Sequence, residues 1–167
     1  MYKFLQPMNQ AQQIASRIRE VFLSGTWIAN TNYKNELENL DYKIANKKKD
    51  ELNSISVLAQ HIHYYTAGIL NVYINNKLEV RDAFSFDFPP IESQQAWESF
   101  LLRFWDDVEL LMQHVENMPE EDLEKEFVDV KYGNYTRNLN GMLEHSYYHL
   151  GQIVLVKKLI LAKQKML

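Results

Sequence analysis

Proline sets the first limit on what this chain can become. All four prolines, Pro7, Pro89, Pro90 and Pro119, fall between periodic segments and none falls inside one. A proline inside a helix removes a hydrogen bond and clashes with the preceding turn, so this placement leaves room for long unbroken helices. The segments between the prolines have the matching period. From about Asn9 to Leu23, Ile14, Ile18, Val21 and Phe22 share one side. From about Ser54 to Ile74, Leu58, Ile62, Tyr65, Ile69 and Val72 recur at three and four. Trp97, Leu101, Phe104, Val108, Leu111 and Val115 do the same between about Ser93 and Asn117. A last helix is expected from Asn138 or Leu139 to about Lys163, with Met142, Ser146, His149, Ile153, Val156 and Ile160 as its inner stripe. Four long amphipathic helices without a strand period predict an all-α four-helix bundle, one domain over residues 1–167.

The connections carry their own expectations. Ser24 to Asn53 is polar and asparagine-rich, with a helical turn expected at "NELENL". So long a connection in a compact domain often lies over a functional face. "NNKLEVRDAFSFDFPP" crosses over without a period, and its aromatic loop, Asp82 to Phe88, suits either a pocket roof or a contact between subunits. Pro119 with Glu120, Glu121 and Asp122 reads as the start of a short helix with acids at its positive end. "VDVKYGNYTRN" is expected to be extended, or to turn at Gly133.

Charge and cysteine content remove several function classes. A formal charge of -4 argues against a general nucleic-acid binder. The short run Lys47-Lys48-Lys49 precedes Asp50 and Glu51 and reads as a solvated loop. The chain has no cysteine, which excludes disulfides, thiolate ligands and a cysteine nucleophile together. The opening "MYKFLQPMNQAQQ" lacks the apolar core of a secretion signal, and "IVLVKKLILA" is interrupted by Lys157 and Lys158. The expectation is a cytoplasmic protein with no membrane partner.

Any metal must then be held by nitrogen and oxygen, and the histidines supply a pattern. "HSYYHLGQI" places His145 and His149 one helical turn apart. Residues four apart share a helix face, with Cβ atoms roughly 5–6 Å apart, so two imidazoles can converge on one ion. Neutral imidazole suits zinc, nickel, copper and iron. With five histidines, a pair at this spacing also arises by accident, and satisfied core histidines are the competing reading. His61 shifts the balance: it lies one turn after Leu58 and one turn before Tyr65, at the edge of its helix's inner stripe. His63 is turned about 200° from it and should face elsewhere. His114 has no helical partner and reads as a surface or boundary residue. Gly68, Gly141 and Gly151 sit inside the histidine-bearing helices, where glycine costs about 1 kcal/mol against alanine. A cavity beside the site or a close helix contact would each explain them. The pair is not H-E-x-x-H, since Ser146 stands where that motif has its glutamate, so metalloprotease chemistry is unsupported.

These residues resemble the DinB-like superfamily of bacterial metal-binding four-helix bundles. The likeness rests on the histidine within "SVLAQHIHYY", on H-x-x-x-H-x-G-Q in "HSYYHLGQI", and on the order of helices over essentially the whole chain. The sequence departs from the commoner "HHRGQ" ending, with Tyr148 and Leu150 flanking His149 while Gly151 and Gln152 are kept. The resemblance implies that His61, His145 and His149 hold one divalent metal, zinc or nickel ahead of iron or manganese. Three imidazoles on one side of an ion leave positions open for water or substrate, the mark of a catalytic site. Such a site lowers the pKa of bound water toward ~7, or ionises a substrate thiol as the superfamily's thiol transferases imply. A hydrolase or thiol transferase acting on a small molecule is therefore expected. The alternative is a non-catalytic dimeric stress-response or binding protein with a vestigial site. Gln152 is a candidate to bond a ligand or substrate. Tyr65 and Tyr148 are candidates to orient bound groups, although the core reading is preferred for both. A homodimer is expected from the resemblance and from aromatics taken as exposed, Trp27 and Trp105.

Overall fold

A computed structural model describes residues 7–164, and among them it is all-helical, with no named strand. Residues 1–6, part of the segment read as lacking a secretion signal, lie outside the described residues. Helix α1 (Gln10–Arg19) runs on into a π-helical turn, Glu20–Ser24. Two short helices, α2 (Tyr33–Leu37) and α3 (Tyr42–Ala45), occupy the first connection. The long helices α4 (Ile55–Asn75), α5 (Gln94–Glu116) and α6 (Tyr135–Gln164) follow, with single 3-10 turns at Asp82–Phe84, Glu120–Glu124 and Val130–Tyr132.

Side-chain caps fix the helix starts. Asn9 and Gln12 form a reciprocal capping box on α1, Ser54 caps α4 and Ser93 caps α5. Helix α6 begins three residues before the expected start, because the Asn134 side chain accepts the Arg137 backbone N–H at 2.8 Å. At the other end of α4, Asn76 closes the helix in the left-handed region at φ 54°. The π turn closes on Gly25, where an added Cβ would lie 2.1 Å from Glu20 Cγ, so only glycine fits.

Packing runs in a cycle: α1 lies on α5, α5 on α4, α4 on α6, and α6 returns to α1. The expected stripes are buried at Ile14, Ile18, Leu58, Ile62, Trp97, Phe104, Val108, Ile153 and Val156. Burying each large apolar side chain contributes roughly 1.5–3 kcal/mol. Trp105 corrects the expectation of an exposed aromatic. It is buried and stacks on Phe104 with ring centroids 4.9 Å apart. The reason is that α5 faces both α1 and α4, so its buried arc is wider than one stripe and takes in Phe100, Trp105 and Met112 as well. Trp27, by contrast, is 88% exposed.

The first connection packs against α6. Tyr33 is fully buried and its hydroxyl donates to the Ser146 carbonyl at 2.8 Å, while Lys157 pairs with Glu36 at 3.0 Å. The first bond holds α6 at the level of its histidines, and the second holds it two turns beyond them. Among the described residues no helix is long and apolar enough to cross a membrane.

Candidate metal centre

The seam between α4 and α6 brings His61, His145 and His149 together, each offering a ring nitrogen within 4.8 Å of the others. His145 Nε2 lies 2.9 Å from His149 Nε2 and 3.3 Å from His61 Nε2. Two nitrogens bound to one ion at ~2.05 Å, at angles between a right angle and the tetrahedral one, stand roughly 2.9–3.4 Å apart. The spacing fits three nitrogens around one divalent cation.

The outer nitrogens strengthen that fit. His61 Nδ1 lies 2.7 Å from the Ser85 carbonyl, and His149 Nδ1 lies 2.6 Å from Gln152 Oε1. Each partner is an acceptor, so each Nδ1 carries the proton and each Nε2 presents a lone pair. Both lone pairs aim at His145 Nε2, which has one proton at most and can satisfy only one of them. A cation at the centre satisfies all three. Fixing a ligating imidazole through its far N–H is the usual way a protein sets tautomer and ring orientation at a metal.

Electrostatics keep the cluster neutral. The pKa of His145 is pushed down to about 4, by burial first and then by its two neighbouring histidines. His61 and His149 are also lowered, chiefly by burial. Neutral imidazole is the ligating form.

The crossover builds one wall. Its 3-10 turn at Asp82–Phe84 folds Ser85 back beneath Asp82, the Ser85 hydroxyl donating to the Asp82 carbonyl at 2.8 Å. That turn delivers the Ser85 carbonyl to His61 and lays the Phe86 ring over the His61 ring at 4.0 Å. The aromatic loop therefore roofs the site. Sequence reading placed the loop here as one of two options but missed the Ser85 carbonyl. The signal available was an aspartate three residues ahead of a serine, the spacing of a tight turn.

Gln152 bonds His149 and acts here as a positioning residue. Tyr65 is half-buried, sets its ring edge-on to His61 and His145, and donates its hydroxyl to Asp82 at 2.8 Å. Tyr148 departs from the preferred core reading: it is 63% exposed, with only its ring edge against His149. His63 faces away from the cluster, as helix geometry requires, and bonds Asp107 on α5 at 2.7 Å. His114 sits half-buried against Tyr73.

A pocket of about 830 Å³ opens beside the cluster, with His145 and Tyr65 in its wall. The glycines divide by position. Gly141 lines this pocket, and a Cβ there would meet nothing within 4 Å. Gly68 instead lets the crossover approach, since a Cβ would lie 2.2 Å from Val80 Cγ1. Compared with protein-family models, with curated proteins and with solved structures, the chain matches none.

Proposed function

We propose that this chain is a metal-dependent protein of DinB-like four-helix-bundle type, acting as a hydrolase or thiol transferase on a small molecule. The observation that carries this reading is the convergence of three Nε2 atoms, two of them fixed as lone-pair donors by Ser85 and Gln152. His61, His145 and His149 would hold the ion. A divalent cation bound there supplies Lewis acidity, lowering the pKa of a water or thiol that reaches it. The chain's own groups do the rest. Ser85 and Gln152 hold two ligand rings in orientation, and Phe86 shields one face of His61 from water. Tyr65 holds Asp82 at the pocket wall, where Asp82 is the one lining acid.

The pocket beside His145 supports a site that admits substrate over a vestigial one. Elemental analysis of freshly purified protein tests the reading. The expectation is about one divalent ion per chain, zinc or nickel, and loss of that ion in His145→Ala with the helical circular dichroism retained. Protein that stays metal-free after repletion with zinc and nickel would refute it. Homodimerisation belongs to the same proposal, with sedimentation as its measurement.

A further inference from the structure

The pocket next to His145 has a charge opposite to that of the chain. The protein carries a formal charge of -4, yet Arg81, Lys131 and Arg137 line this pocket against one acid, Asp82. Asp82 already accepts the Tyr65 hydroxyl, and Lys131 pairs with Asp129 at 3.2 Å. Among the described residues the Arg81 and Arg137 guanidinium groups have no carboxylate partner in the fold. Two unpaired guanidiniums in one concave wall form a binding surface for an oxyanion, because their planar donors match carboxylate and phosphate.

The backbone places these residues at the pocket. Tyr64 Oη accepts the Arg81 N–H at 2.8 Å and fixes the base of that side chain. Arg137, Gly141 and His145 follow one another at four-residue steps along α6, so they share a face. Arg137 and His145 are about 12 Å apart along the axis, at 1.5 Å per residue. Gly141 between them leaves the floor open. Opposite, Val128 is held at φ 55°, a region costly for a β-branched residue, in the segment that presents Phe127, Lys131 and Tyr132 to the same pocket.

We infer that the substrate of this site is a small molecule bearing a carboxylate or phosphate group, which seats between Arg81 and Arg137 while its reacting atom reaches the three histidines. The inference rests on the metal-site reading above and names the substrate class for it.

Cobalt-loaded protein gives a direct test, since thiolate binding to cobalt is visible as a charge-transfer band. Titration compares 3-mercaptopropionate with its neutral amide, 3-mercaptopropionamide, at fixed ionic strength. The acid is expected to bind about tenfold more tightly or better, the size of a charged hydrogen bond. In the double variant Arg81→Gln/Arg137→Gln that preference should vanish, while cobalt content and affinity for the amide stay as they were. Gly141→Ala, whose added Cβ meets nothing within 4 Å, should leave cobalt content unchanged and narrow the floor of the seat. Competition by inorganic phosphate as against acetate then tells which oxyanion the seat favours. Equal affinity for acid and amide, or a preference that survives in the double variant, would overturn the inference. Failure to take up cobalt would sink the metal reading instead. The oxyanion seat is then read alone, by titrating succinate into ¹⁵N-labelled protein and following the Arg81 and Arg137 Nε–H signals, and unmoved signals would overturn it.

Discussion

The α1–α5 seam and the α4–α6 seam are built from the same kind of element and end in opposite states. Beside the first, where the π turn and α2 meet α5, the space is closed by rings: Phe22, Tyr33 and Phe104 pack with centroids 5.1 to 6.0 Å apart, and further along α5 the fully buried Trp97 stacks on Phe100. The one polar tip in that triad, the Tyr33 hydroxyl, finds the Ser146 carbonyl. Between α4 and α6 the apolar seam of Ile62, Met142 and Ile153 gives way at its edge to three imidazoles and an open pocket. The difference teaches a division of labour. The first region is closed by apolar packing, with Trp97 Nε1 its buried polar atom lacking a partner among the described residues, while the second holds its imidazoles at the edge of the core beside a pocket.

That division can be broken by experiment. Phe104→Ala should cost the most, about 3–5 kcal/mol in chemical denaturation, with metal content per folded chain unchanged. Loss of the metal along with stability would show the seams to be coupled. Gln152→Leu should do the reverse. The fold is kept and metal affinity drops about 10–100-fold, as for other outer partners of ligating histidines; competition with a chromophoric chelator measures it.

Acid supplies a smaller and graded probe. In the metal-free protein, burial lowers the pKa values of His61, His145 and His149 below the ordinary 6.5, with His145 at about 4. The unfolded chain therefore takes up protons first as the pH falls. Stability is fully present above about pH 6.5 and is lost progressively toward pH 4. Thermal melts across that range should show a downward slope that flattens in His145→Gln. A slope unchanged by that substitution would place the titrating group elsewhere, with His63 the next to examine.

Much of this contrast was legible in the sequence. Period alone put Leu58 and Ile62 on the inner side of one helix, with His61 at the edge of that stripe and His63 turned away, and the spacing of His145 and His149 put both rings on one face. What stayed hidden came from positions without a period. Ser85 acts through its carbonyl, which any residue has, in a crossover whose order is set by the turn at Asp82. Trp105 was misjudged because one stripe understates the arc of a helix with two neighbours. Tyr148 stands outside because its neighbour His149, not Tyr148 itself, takes the inward position. Arg137 escaped notice because the helix was expected to begin after it. Once Asn134 caps α6, Arg137 falls on the His145 face.

X-ray absorption on zinc- or nickel-loaded protein measures the first coordination shell directly. The account predicts three imidazole nitrogens at ~2.0–2.1 Å plus exchangeable oxygen ligands, with one imidazole fewer in His61→Ala. A shell of oxygen alone, or one that His61→Ala leaves unaltered, would contradict it.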